Sequence, residues 1–212
     1  MTTCEQYWNK RSLIFDEQVG PQYQDAYDKT VALALKYLKP EDRVLDYACG
    51  TGHTLVEIAP HVSFVRGIDI SIEMVRRAQN KAAALALDNV FITQTDIFDP
   101  SLEEGSFDAI TAFNLLHYLE DFDRVCQRLH RLLKPGGLFL SATDCLGEGI
   151  TRESVRKFVK YHTGKMPFVG FYKMKQLEQM VADAGFTVLE TENLFPAPPN
   201  LFIAAQNGGG SL

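Results

Sequence analysis

From residue 42 onward the chain alternates short apolar runs with longer stretches in which apolar residues recur at helical spacing. The runs at 43–46, 62–68, 90–94, 107–113 and 137–143 read as strands, with helices between them at 54–59, 71–87 and 121–133. Strands that alternate with helices predict a doubly wound α/β sheet, parallel in its first part and covered by helices on both faces. The punctuation agrees. Ser71 followed by the acid Glu73 suits a helix start, and Lys134-Pro135-Gly136-Gly137 is a stop and turn signal after the helix at 121–133. Beyond a further helix at 174–184 and the break at Gly185, the runs 186–194 and 201–205 are joined only by Phe195-Pro196-Ala197-Pro198-Pro199-Asn200. A connection that short holds no crossover helix, so these last two strands are expected to be antiparallel.

The chain has 212 residues, is 46% hydrophobic and contains no Pro/Gly/Ser-rich linker, so a single domain over 1–207 is expected, with 208–212 as a flexible tail. A net charge of -6 offers no overall electrostatic reason to bind nucleic acid or anionic lipid. The N-terminus lacks an apolar signal core after a basic start, and no window nears bilayer-spanning length, so a soluble, cytoplasmic protein is expected. Cys4, Cys49, Cys126 and Cys145 show no metal-knuckle spacing and read as free thiols. Cys126 and His130 share a helix face as two metal ligands would, but the segment also fits a helix with a half-buried thiol, and no metal is expected.

The chemistry concentrates in Arg43-Val44-Leu45-Asp46-Tyr47-Ala48-Cys49-Gly50-Thr51-Gly52, an apolar run that ends on an acid and enters a glycine turn. Glycines there let backbone approach an adenosyl ligand where a Cβ would clash. A dinucleotide fingerprint would need a third glycine where Leu55 stands, which weakens a reading as an NAD-linked reductase. About twenty residues on, Asp69 is placed to accept hydrogen bonds from ribose hydroxyls, with Ile70 against an adenine face. Ser71 supplies the helix cap and so leaves Asp69 free for a ligand. In Thr95-Asp96-Ile97-Phe98, the carboxylate of Asp96 and the N–H of Ile97 fit the amine and ring nitrogen of adenine. The plainer alternative for Asp96 is a solvated turn aspartate.

The order acid, x, small, x, Gly, x, Gly resembles motif I of the class I S-adenosylmethionine (SAM)-dependent methyltransferases, whose usual form has glycine where this chain has Ala48. Alanine is tolerable there if its φ is negative. Phe107-Asp108-Ala109-Ile110-Thr111-Ala112-Phe113-Asn114-Leu115-Leu116-His117-Tyr118 is similar to the family's motif IV, and Leu132-Leu133-Lys134-Pro135-Gly136-Gly137 to the turn before its fifth strand. The resemblance covers roughly residues 40–145 and is greatest to the small-molecule type, similar to the ubiquinone/menaquinone C-methyltransferase-like group. It implies a Rossmann-like seven-stranded sheet of order 3-2-1-4-5-7-6 with strand 7 antiparallel. It also implies SAM as cofactor and S-adenosylhomocysteine (SAH) as product. The cofactor residues it implies are Asp46, Ala48, Cys49, Gly50, Gly52, Asp69, Ile70, Asp96, Ile97 and Asn114. His117 and Tyr118 fall near the methyl acceptor as catalytic candidates, His117 as a proton acceptor or alternatively a packed core histidine.

The expected reaction is methyl transfer to a small or medium-sized acceptor. Residues 1–40 would form a helical lid, and residues 145–172, which carry Arg152, Arg156, Lys157, Lys160, Tyr161, His162, Lys165, Phe168, Phe171 and Tyr172, would contribute to the acceptor site. Basic and aromatic residues together fit a carboxylate or phosphate on an apolar body, although a solvated amphipathic helix gives the same string. An RNA or protein methyltransferase is disfavoured by the acidic charge and by Asn114-Leu115-Leu116-His117, which lacks the N-P-P-Y form of enzymes that methylate base amines. A non-catalytic SAM- or SAH-binding protein is the remaining alternative.

Overall fold

The computed structural model describes residues 4–18 and 21–208. Two helices, α1 (Cys4–Gln18) and α2 (Pro21–Leu35), precede the sheet. Then follow β1 (Arg43–Tyr47), α3 (Leu55–Ile58), β2 (Phe64–Asp69), α4 (Ile72–Ala84), β3 (Val90–Gln94), β4 (Phe107–Phe113), α5 (Phe122–Leu132) and β5 (Leu133–Asp144). The chain ends with α6 (Arg152–His162), α7 (Met174–Asp183), β6 (Phe186–Pro196) and β7 (Pro199–Asn207). Short 3-10 turns cover Ala59–His61 and Leu116–Tyr118. The residues of the expected tail at 209–212 and of the expected lid at 1–3 and 19–20 lie outside the described residues.

The sheet order is β3-β2-β1-β4-β5-β7-β6, parallel throughout except that β7 runs antiparallel to both β5 and β6, as expected from the short connection after β6. Each strand feeds alternate side chains to opposite faces. Leu45, Ile110, Phe139 and Ile203 join α5 and α7 in one core, while Val44, Ala109, Leu140 and Phe202 join α2, α3 and α4 in the other. Burial on both faces explains why β1, β4 and β7 read as continuous apolar runs rather than alternating ones.

The helix starts are capped locally. Ser71 accepts from Met74 N–H, Asp121 from Arg124 N–H, and Thr151 forms a reciprocal box with Ser154. The expected turn at 134–137 is instead an irregularity inside β5. Phe107 pairs with Leu133 and Ala109 with Leu138, so three extra residues loop out of the ladder. Gly136, at φ +74°, takes the left-handed conformation there. The Cys126/His130 pair is structural. His130 meets Asn207 at 2.9 Å and the Ala184 carbonyl at 2.6 Å through its two ring nitrogens, and Cys126 is buried.

Candidate active site

The C-terminal edge of β1, β2 and β4 opens into a cavity of about 900 Å³. Such crevices form where connections diverge to opposite faces of an open sheet. After β1, Cys49 N–H binds the Ile68 carbonyl at 3.0 Å and Gly52 N–H binds the Cys49 carbonyl at 2.9 Å, which curls the loop back onto β2. Gly50 (φ +54°) borders the cavity, and an added Cβ would meet nothing within 4 Å. At Gly52 (φ +78°) a Cβ would come within 2.9 Å of the Ala78 Cβ, so glycine there lets α4 pack close.

Asp69 holds this loop. Its Oδ2 accepts from Gly50 N–H at 3.0 Å and its Oδ1 from Ser71 N–H at 2.8 Å. The expected cap by Ser71 is present, yet Asp69 is not free: both oxygens are engaged, each with one remaining lone pair. Burial raises its pKa to about 6 against these two bonds. Asp46 lies deeper. Thr111 Oγ1 donates to its Oδ1 at 2.7 Å, its Oδ2 is buried with no partner, and burial raises its pKa to about 6 as well.

Ala48 departs from expectation: its φ is +59°, in the left-handed region, so alanine here carries strain that glycine would not. Asn114 shares that conformation at φ +55°, which asparagine tolerates better. Of the expected cofactor residues, Ala48, Gly50, Asp69, Ile70 and Asn114 border the cavity. Asp46, Cys49 and Gly52 stand behind it and shape the loop. Asp96 is exposed and accepts from Phe98 N–H at 2.7 Å in a turn of its own, Ile97 is buried in the core, and only Thr95 of that segment borders the cavity.

α1 lies over this end of the cavity. Ser71 Oγ donates to Asn9 Oδ1 at 2.7 Å, Thr51 Oγ1 to Asp16 Oδ1 at 2.6 Å, and Lys81 pairs with Asp16 at 2.9 Å. At the other end a polar chain runs along the wall. Asn114 Nδ2 donates to Tyr27 Oη at 3.4 Å, and Asn200 Nδ2 donates to both Asn114 Oδ1 and Asp144 Oδ1 at 2.9 Å. Lys157 Nζ stands 3.2 Å from Asp144 Oδ2, 3.1 Å from His117 Nε2 and 5.2 Å from the centre of the Tyr118 ring.

His117 and Tyr118 both border the cavity, as expected, but His117 is only 1% exposed. Burial and then the Lys157 ammonium hold it well below the usual imidazole range, so it is neutral. Its Nε2 lone pair faces the Lys157 ammonium, which leaves the proton on Nδ1, a buried atom without a partner. This geometry is wrong for the proton-accepting role expected of it. Burial opposes the charge on Lys157, but Tyr118, Asp144 and Glu153 outweigh it and raise its pKa, so the ammonium persists. Asp144 and Asn200 were not singled out from the sequence. Lys157 lies in the segment expected to contribute to the acceptor site; α6 buries it with Ser154 while exposing Val155, Phe158 and Val159, the reverse of ordinary amphipathic patterning.

A seven-stranded 3-2-1-4-5-7-6 sheet with a glycine loop and an acid at the ends of β1 and β2 defines a Rossmann-like class I methyltransferase fold. The methyltransferase domain family matches residues 38–185, and the chain belongs to that family. An uncharacterized methyltransferase of Bacillus subtilis is 29% identical over 140 residues, covering 66% of this chain and 54% of the relative. The 2-phytyl-1,4-naphtoquinone methyltransferase of a Nostoc species is 30% identical over 141 residues, covering 60% and 61%. The chain thus spans about half the length of the curated relatives it matches. Among solved structures, a putative methyltransferase of Haloferax volcanii, in complex with the activator Trm112, superposes with a TM-score of 0.80 at 16% identity over 99% of this chain and 100% of that one. Among the described residues, no helix is long and apolar enough to cross a membrane.

The residues present fit SAM. Gly50 leaves an open approach to backbone, Asp69 presents a buried carboxylate with lone pairs to spare, and Tyr47, Ile70 and Met74 give apolar walls.

Proposed function

We propose that the protein transfers a methyl group from SAM to a small or medium-sized acceptor. The observation that carries this reading is the continuity of one cavity, from Gly50 and Asp69 at one end to Tyr118, Lys157 and Met166 at the other. About 900 Å³ lies near the upper end of the ~300–1,000 Å³ usual for small-molecule sites, with room for two ligands side by side. The enclosing helices α1 and α6 suit a small molecule better than a nucleic-acid strand. The Nostoc relative, named for a naphthoquinone acceptor, supports the same class of substrate.

When bound, SAM supplies a methyl made electrophilic by its sulfonium, so the protein's task is alignment and exclusion of water. Asp69, which fixes the Gly50 loop, would hold the ribose hydroxyls through its remaining lone pairs, and Ile70 would hold the adenine. Asn114, set by Asn200, marks the amino-acid end. Tyr118 and the Lys157 ammonium face the acceptor. Because Lys157 stays protonated and His117 is neutral with its Nε2 occupied, neither takes a proton from the nucleophile. The reaction therefore suits a nucleophile that is soft or already deprotonated. Four free thiols, three of them buried, fit a reducing compartment and support a cytoplasmic setting.

Screening pools of small acceptors for SAH release tests the proposal. Turnover of a small acceptor, with none on RNA or protein pools, is the expected result. Tight SAH binding with no turnover on any pool would overturn it in favour of a binding protein.

A further inference from the structure

We propose that the outer half of the cavity is a subsite for an anionic group, a carboxylate or phosphate, on the methyl acceptor, held by Arg11 of α1 and by Arg152, Arg156 and Lys160 of α6. The inference rests on the methyltransferase reading and names the acceptor's chemistry.

The first observation is placement. Arg152, Arg156 and Lys160 recur every four residues on one face of α6, Arg11 comes from a helix far away in sequence, and all four border the cavity that holds Gly50 and Asp69. Arg152 and Arg156 are exposed and Arg11 and Lys160 half-buried, so cations from two helices line one opening.

The second observation is lack of compensation. Among the described residues, no carboxylate pairs with Arg11, Arg152 or Lys160. The carboxylates at this end are mostly committed elsewhere: Glu153 binds Arg156 through both oxygens, at 2.9 and 2.7 Å, and Asp144 faces Lys157 and Asn200. Glu17 also borders the cavity. The Nε of Arg11 is buried and has no hydrogen-bond partner, a costly state for a guanidinium that a bound anion would relieve. Burial, then Arg156 and Arg11, push the Lys160 ammonium below its usual range, which shows how closely the three cations crowd.

The third observation sets the rest of the molecule. Tyr7 and Tyr118 pack on Leu146, Met166 and Val169, and Trp8 meets Tyr118 edge to face at 5.0 Å. Tyr7, Trp8, Tyr118 and Met166 of this apolar, aromatic cluster line the same cavity as the cations, so the fitting ligand is amphipathic: a flat or aliphatic body carrying one anionic end.

Calorimetry on the whole protein saturated with SAH tests this with three probes of one shape: 1-naphthyl phosphate, 1-naphthoate and 1-naphthol. At least one anionic probe should bind tenfold or more tighter than 1-naphthol, and the two anions together tell phosphate from carboxylate. Arg11→Gln and Lys160→Gln should each weaken that probe by about tenfold, with SAH and 1-naphthol affinities unchanged. Lys160 is only partly buried, so its variant keeps the test valid if Arg11→Gln folds poorly. Lys175→Gln, an exposed change on α7 that alters net charge equally, should have no effect. Equal affinity for the neutral and anionic probes, no binding of either anion, or an equal loss in Lys175→Gln would overturn the subsite. Failure of the wild type to bind SAH would instead overturn the methyltransferase reading.

Discussion

The Nζ of Lys157 stands 3.1 Å from the Nε2 of His117. An ammonium that is anchored by Asp144 at 3.2 Å and persists when buried gives the imidazole a permanent donor at Nε2. His117 is thereby a positioning residue for Lys157 and Tyr118.

Turnover should accordingly show no titration limb in the imidazole range. His117→Gln should lower the rate by about 10- to 100-fold through misplacement, with an unchanged pH profile and unchanged SAH affinity. Initial rates of SAH release from pH 5.5 to 9 check this; a limb present in the wild type and absent in the variant would restore the histidine as a base.

Asp69→Ala should weaken SAH binding by about 2–4 kcal/mol, from loss of two charge-assisted hydrogen bonds. It should also destabilise the fold by about 1–3 kcal/mol, because the Gly50 and Ser71 N–H groups lose their acceptor. Calorimetry and urea unfolding separate the two effects. Loss of stability with unchanged SAH affinity would make this aspartate a loop clamp only.

Ala48→Gly should raise stability by about 0.5–1 kcal/mol, the left-handed strain of alanine at φ +59° outweighing the extra chain entropy of glycine. Thermal unfolding would register this as a higher Tm, with SAH affinity the same within a factor of about two.

Asp46 is held neutral more readily in the folded protein than in the unfolded chain, since burial moves its pKa from 3.8 to about 6. The folded state therefore binds more protons between those values, and this group's contribution to stability is fullest below about pH 4 and lost as pH rises through 6. Asp46→Asn keeps an oxygen for Thr111 and cannot titrate. Relative to wild type it should gain about 2 kcal/mol between pH 4.5 and 7.5. Urea unfolding at both values decides it; a constant difference would mean that Asp46 does not ionise across this window.

The positions of most strands and helices, the antiparallel last pair and the location of the glycine loop follow from local pattern, because apolar periodicity and turn residues act over a few positions. β3 and β4 fall where the pattern puts them, and Ser71 and Asp121 start their helices. The strand order came from a family resemblance, since neighbours in a sheet are set by packing between distant segments. Only the tertiary structure decided what each polar group near the cavity is doing. Asp69 looks free in the sequence because its partner, the Gly50 N–H, is nineteen residues away, and Ala48 looks harmless because φ is not written in residue type. In the sequence Lys157 is one of several basic residues that fit either an acceptor site or a solvated helix, until the fold brings Asp144, His117 and Tyr118 around it. Hydrogen bonding and desolvation depend on which groups meet and how much water they lose, and those are properties of the folded arrangement rather than of any stretch of chain.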